Sequence, residues 1–172
     1  TSASPDFGLQ GVLDRFGQIE PKLLFVADGY YYNGKTVETL GKVAEIVEKL
    51  PSLRKTIVVS YIRVDDHAYD LHRIRDAVTL RGYVRPCHEQ TQIEFAQLPF
   101  NHPLYILYSS GTTGVPKCIV HGAGGVLLQH LKEHKLHSDL KPGDKLFYFT
   151  TCGWMMWNWL ASGLASGATL LL

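Results

Sequence analysis

Net charge of one sign is missing from this chain: 17 basic residues face 16 acidic ones across 172 positions, leaving a formal charge of +1. A nucleic-acid-binding surface shows in sequence as a clustered basic face, and no basic run with interleaved aromatics occurs, so no nucleic-acid partner is expected. Cysteine is scarce too. Cys87, Cys118 and Cys152 are odd in number and no pair has metal-ligand spacing. That argues against a disulfide framework and for thiols in a reducing, cytoplasmic setting. Cys118 and Cys152 fall on expected strands, where a buried inert thiol is the default. Residues 1–10 lack a basic stretch followed by a long apolar core, so no secretory leader is expected there. A long uninterrupted apolar run is absent as well. The nearest approach, residues 153–172, is broken by Asn158, Ser162, Gly163, Ser166 and Gly167, which favours a buried helix and strand over a membrane span. There is no internal repeat and no low-complexity tract.

What is present is the alternation of an α/β protein. The hydrophobic fraction of 45% suffices for one sizeable core or for part of a larger one. Leu23–Ala27 reads as a strand ending in an Asp28-Gly29 turn. Thr36 is placed to cap a helix, with Glu38 in its first turn, and Val37, Leu40, Val43, Ala44, Val47 and Leu50 recur at helical spacing up to Pro51. Residues 56–61 are β-branched and apolar, a buried strand. Strand, helix and strand in that order predict a βαβ unit with parallel strands. Residues 63–92 lack a sustained period, and a short helix is expected near 69–79.

After Pro99, residues 104–108 read as a central strand, 117–121 as another, and 126–136 as a helix. A turn at 140–144 leads to a strand at 146–149. Residues 154–164 read as a helix apolar nearly all round and hence enclosed, stopped by Gly167 before a last strand at 168–172. A terminal apolar strand is an awkward end for a domain, so the chain is expected to be a segment of a larger one.

Chemistry concentrates in Ser109-Ser110-Gly111-Thr112-Thr113-Gly114-Val115-Pro116-Lys117. Gly111 and Gly114 open backbone angles closed to other residues and let an anion approach the main chain. Successive N–H groups then form a nest for phosphate oxygens, the hydroxyls add donors, and Lys117 adds a mobile positive charge. The common P-loop spacing is absent, and so is the dinucleotide fingerprint, because a strand rather than a helix follows the glycines. The remaining alternative from composition alone is a hairpin without a ligand.

The histidines form no recognised metal motif. His130 and His134 share one side of a helix but lack the glutamate of a zincin. His67 and His72 sit among Asp65, Asp66 and Asp70. Hydrogen-bonded or solvated imidazoles are the expected reading at both places. No Ser/His/Asp triad can be assembled from sequence order.

The nine-residue segment resembles, without a mismatch, the signature of the adenylate-forming enzymes: the acyl-CoA synthetases, adenylation domains and luciferases. The stretch Phe149-Thr150-Thr151-Cys152-Gly153-Trp154-Met155-Met156-Trp157-Asn158-Trp159 is closer still to the acetoacetate-activating branch. So are Tyr32-Asn33-Gly34-Lys35 and His130-Leu131-Lys132-Glu133-His134.

The resemblance implies that residues 1–172 are a segment of the large N-terminal AMP-binding domain, with βαβ units around a largely parallel sheet and without the C-terminal domain. It implies a two-step acid–thiol ligation in the full-length protein: acetoacetate, ATP and CoA give acetoacetyl-CoA, AMP and pyrophosphate. ATP, acetoacetate and CoA are then the small-molecule partners, and the rest of the enzyme is the intramolecular one. Ser110, Gly111, Thr112, Thr113, Gly114 and Lys117 are implied to handle the ATP phosphates. Gly153, Trp154, Met155 and Trp157 are implied to shape the acyl pocket, against the plainer reading of Trp and Met at helical spacing as core. Magnesium is expected to find its main ligand, and catalysis its lysine, outside these residues, so no complete catalytic set is expected here and the segment alone should be inactive. Two alternatives stand beside this: another short-chain acyl-CoA synthetase, and a non-catalytic nucleotide-binding or interaction module.

Overall fold

The computed structural model describes residues 1–63, 70–109 and 114–172. It divides into two compact units, one formed by Pro5–Glu94 and the other by Thr1–Ser4 with Phe95–Leu172.

In the first unit, β1 (Leu23–Ala27) and β4 (Lys55–Val59) pair in parallel, and β4 pairs in parallel with β5 (Ala77–Thr79), so β4 is central. Thr56, Ile57 and Val58 on that central strand have no exposed surface, as their β-branched run requires. Between β1 and β4 lies α2 (Leu40–Glu48), which completes the expected βαβ unit and buries Val43, Ile46 and Val47. Each such side chain withdrawn from water contributes about 1.5–3 kcal/mol before its ordering entropy is counted. The helix α1 (Leu9–Phe16) packs on α2 through Val12 and Phe16, and α3 (Leu80–Val84) packs on β4 and β5. Carbonyls at the end of α2 and just beyond it are taken up from a distance: the Arg75 guanidinium donates to Val47 O and Leu50 O, each at 2.9 Å.

Three local expectations change here. Thr36 does not cap a helix. It lies in β3 (Lys35–Glu38), which pairs antiparallel with β2 (Gly29–Tyr32). The turn between them is Asn33-Gly34, with φ of 48° and 71°, the paired positive values that a tight hairpin turn demands and that Asn-Gly supplies. Helix α2 therefore starts three residues later, with Thr39 at its cap position. Asp28-Gly29 is likewise no simple turn, because β2 starts at Gly29. A Cβ on Gly29 would lie 2.6 Å from Val37 O and collide with Ile62, so glycine is required. The helix expected near 69–79 is replaced by a 3-10 turn (Leu71–Arg73) and β5, with α3 beyond; residues 64–69 lie outside the described residues.

In the second unit, β6 (Pro103–Ser109) and β7 (Lys117–Gly122) form an antiparallel ladder, and α4 (Ala123–Lys132) follows directly. The expected central strand at 104–108 is thus a hairpin arm, paired only with β7 among the described residues and half-buried rather than enclosed. Helix α4 starts three residues before its expected position because Ala123 and Gly124 donate to His102 O and Phe100 O, with the Phe100 ring against Gly124. Its end widens into a π turn (Glu133–His137). Strands β8 (Lys145–Phe147) and β9 (Thr169–Leu171) pair in parallel around α5 (Met155–Ser162) and a 3-10 turn (Gly163–Ser166). Gly167, at φ 78°, stops that turn as expected.

Helix α5 departs from its expected enclosure: Leu160 is buried, but Trp154 and Met155 are exposed. An all-apolar helix hides every face only where something packs on each, and here one side is uncovered. Cys152 also departs, lying exposed in a turn rather than buried in a strand; Cys118 is half-buried in β7, Cys87 is exposed, and all three thiols are free.

Candidate functional site

The ladder of β6 and β7 ends with Ser109 opposite Lys117. The two ends of the glycine-rich segment are therefore held side by side by a backbone ladder, in the strand–segment–strand order read from the sequence. Ser110, Gly111, Thr112 and Thr113 lie outside the described residues. Gly114 has φ of 92°, a value that side chains resist, and Lys117 is exposed at the start of β7. Across the same ladder Tyr105 and His121 are directly paired, with ring centroids 5.9 Å apart, and burial pushes the Tyr105 hydroxyl above its ordinary value.

The residues read as an acyl pocket gather at the start of α5. Gly153 is indeed a place of close backbone approach, but what approaches it is the chain's own Ser4: a Cβ on Gly153 would sit 3.2 Å from Ser4 N, and the Ser2 hydroxyl donates to the neighbouring Cys152 O. Trp154 is 71% exposed, its N–H donating to Thr151 O at 3.0 Å, and Met155 is 52% exposed. Trp157 is half-buried one turn on. These four adjoin one another on one turn and the first turn of a helix. The two ends of the glycine-rich segment are carried by β6 and β7.

Two polar groups prove buried, with partners that sequence reasoning did not supply. Asp28, 1% exposed at the carboxyl end of β1, accepts backbone N–H groups of Tyr61 (2.8 Å), Ile62 (3.0 Å) and Arg63 (3.1 Å). It fixes the chain leaving β4, and the Arg63 guanidinium then meets Glu38 at 2.6 Å. An aspartate closing an apolar strand was the available signal, though its partners lie more than 30 positions away. The second is His134, fully buried in the π turn, with Nε2 at 3.0 Å from Trp159 O and 2.9 Å from Ser162 Oγ. The expectation of hydrogen-bonded imidazoles holds for it. Its neighbour His130 is held below the ordinary histidine value by burial first, then by His134 and His121, against the opposing pull of Glu133. His72 is exposed, and His67, Asp65 and Asp66 lie outside the described residues. Among the described residues, no group of three or more His, Cys, Asp or Glu side chains could hold a metal ion, and no helix is long and apolar enough to cross a membrane.

With its parallel βαβ unit and the complete nine-residue segment in its sequence, the chain belongs to the AMP-binding enzyme family, which it matches over residues 2–172. Its α/β fold is that of the large N-terminal domain of the adenylate-forming enzymes. Within that class it matches acetoacetyl-CoA synthetases over its full length. It is 58% identical over 172 residues to the acetoacetyl-coenzyme A synthetase of Rhizobium meliloti (strain 1021), covering 100% of this chain and 26% of that protein. The structure of acetoacetyl-CoA synthetase from Streptomyces lividans superposes with a TM-score of 0.87 at 45% identity, over 99% of this chain and 25% of that one. The malonamoyl-CoA synthetase vrtB of Penicillium aethiopicum is 49% identical over 174 residues, covering 100% of this chain and 24% of that protein. The chain thus spans about a quarter of the length of the curated relatives it matches.

Proposed function

We propose that residues 1–172 are a segment of the AMP-binding domain of an acid–thiol ligase that makes acetoacetyl-CoA from acetoacetate, ATP and CoA. The 58% identity to an acetoacetyl-coenzyme A synthetase over the whole chain carries this reading. A carboxylate oxygen attacks the α-phosphorus of ATP and pyrophosphate leaves; the CoA thiol then attacks the acyl-adenylate and releases AMP. The difficulty of the first step is bringing a carboxylate to a polyphosphate, which oriented N–H and hydroxyl donors ease.

Ser110, Gly111, Thr112, Thr113, Gly114 and Lys117 are assigned to the phosphates, with Thr112 and Thr113 as direct contacts and Lys117 at the leaving pyrophosphate. The pairing of Ser109 with Lys117 supports this, because it brings the two ends of the segment side by side. Gly153, Trp154, Met155 and Trp157 are assigned to the acyl pocket. Magnesium accompanies ATP in this chemistry and offsets phosphate charge; the described residues offer it no ligand cluster, and none is assigned to it. Three free thiols accord with a reducing, cytoplasmic compartment.

The test is acetoacetate-dependent ATP–pyrophosphate exchange in the full-length protein. Thr113→Ala and Lys117→Ala each lower it, by about 10–1,000-fold if a donor to developing charge is lost. Undiminished exchange in both removes the phosphate assignment. A second reading, ligation of a different small acid, is favoured by the 49% identity to the Penicillium malonamoyl-CoA synthetase. Exchange driven better by malonamate than by acetoacetate selects it, and exchange driven by no acid leaves a non-catalytic module.

A further inference from the structure

The buried histidine of the π turn has no part in the chemistry above, yet its placement is built with care. His134 has no exposed surface and lies in the π turn of Glu133–His137, at the point where α4 ends; such turns are rare and frequent at functional sites. There Nε2 reaches the carbonyl of Trp159 at 3.0 Å and Ser162 Oγ at 2.9 Å. That carbonyl lies where α5 tightens into the 3-10 turn. The N–H of Gly163, its ordinary helical partner, turns instead to Leu160 and Ala161, so Trp159 O takes the Ser162 hydroxyl at 2.6 Å and the His134 N–H. The tautomer follows from satisfaction: with the proton on Nε2, Nδ1 is left as a bare acceptor without a described hydrogen-bond partner, whereas the other tautomer would bury an unpaired N–H.

The same imidazole lies against the Trp159 indole, with centroids 4.4 Å apart, and Trp159 in turn meets Tyr148 edge-on at 5.8 Å. Tyr148 immediately precedes the stretch 149–154, and Trp159 lies one turn beyond it. The column His134–Trp159–Tyr148 therefore clasps both flanks of the segment that ends in Gly153 and Trp154. Room for the clasp is kept by Gly163, where a Cβ would press on Leu146 at 2.6 Å and come within 3.9 Å of His134.

We propose that His134 is a positioning residue for acyl-acid recognition: through Trp159 it sets the placement of the stretch 149–154 and so the shape of the site that admits the acid. This rests on the acyl-pocket assignment above. A purely structural histidine would influence ATP and acid alike, whereas a positioning one acts on the acid.

The experiment measures ATP–pyrophosphate exchange in the full-length protein and in its His134→Leu and His134→Gln variants. Glutamine places a neutral N–H near the position of Nε2; leucine fills the space without a donor. The expected result for His134→Leu is a KM for acetoacetate raised about tenfold, a KM for ATP changed less than about twofold, and a weakened preference for acetoacetate over butyrate. The near-UV circular dichroism of the tryptophans shifts with it, and His134→Gln recovers most of the acetoacetate KM. Should His134→Leu fail to fold, Ser162→Ala, which removes the companion donor, raises the acetoacetate KM in the same selective way. Equal changes for ATP and acetoacetate, or an unchanged acetoacetate KM in every folded variant, overturn the proposal. A wild-type protein with no acetoacetate-dependent exchange overturns the functional reading itself, and this inference with it.

Discussion

The two units of the chain differ in how much of their apolar side chain they enclose. The Pro5–Glu94 unit encloses a core: Ile57, Val58, Val47, Leu50 and Ile74 are all at or below 4% exposure, while Phe25, Tyr32, Tyr61 and Ile93 stay outside it, and polar pins such as Asp28 and Arg75 close its loops and helix ends. The unit of Phe95–Leu172 encloses little beyond Leu140, Leu160 and Ala168. It leaves Leu127, Leu128, Phe147, Phe149, Trp154 and Leu164 exposed, each with roughly half or more of its surface in water. The first unit is thus organised as a packed scaffold. The second bears both segments assigned to substrates, on a hairpin and at a helix start whose apolar faces stay open. Large open apolar surface marks places where something else binds or packs.

The sharpest way to break that comparison is to remove buried volume. Ile57→Ala is expected to destabilise the protein by about 4 kcal/mol in urea denaturation, because the central strand cannot collapse around the cavity, while Leu128→Ala on the open face stays within about 0.5 kcal/mol. Comparable losses at both positions would show that the second unit is packed as tightly as the first.

A somewhat smaller loss, roughly 3 kcal/mol, is expected from Asp28→Ala, which strips the acceptor from the Tyr61, Ile62 and Arg63 amides. Amide hydrogen exchange should quicken at those three positions first. If it quickens uniformly instead, the aspartate supports the whole unit rather than one turn.

The smallest effect is a pH dependence confined to the second unit. His130 has its folded pKa below its unfolded one through burial, with His134 and His121 adding and Glu133 subtracting. The unfolded chain therefore binds the proton more readily, and stability falls as pH drops from about 6.5 toward the depressed folded value. His130→Gln should flatten that part of the pH–stability curve. An unchanged slope would mean that other groups carry it.

Legibility in sequence followed the range of the interactions. The βαβ core of the first unit was readable because β-branched runs and a 3.6-residue apolar spacing report burial directly, as Ile57 and Val47 show. The start of α2 was misread because Val37 fits the helical spacing by coincidence while the Asn33-Gly34 turn recruits Lys35–Glu38 into a hairpin. Enclosure of α5 was misread for a different reason: apolarity all round states what a helix can bury, and Trp154 and Met155 show that it does not state what covers it. At the candidate site, the glycine-rich segment was visible from its residue types alone. The partners of Asp28 and His134 were not, because each contact joins residues some 25 to 35 positions apart.

The sequence by itself determined the glycine-rich segment and its membership in the AMP-binding enzymes, since a phosphate nest needs particular residue types at fixed spacing along one stretch of chain. Tertiary structure alone decided how the ends of that segment are held, with Ser109 set opposite Lys117 in an antiparallel ladder. It alone decided that His134 would lie beneath Trp159. Strand pairing and the meeting of side chains across a core depend on three-dimensional packing, which no local pattern of residues encodes.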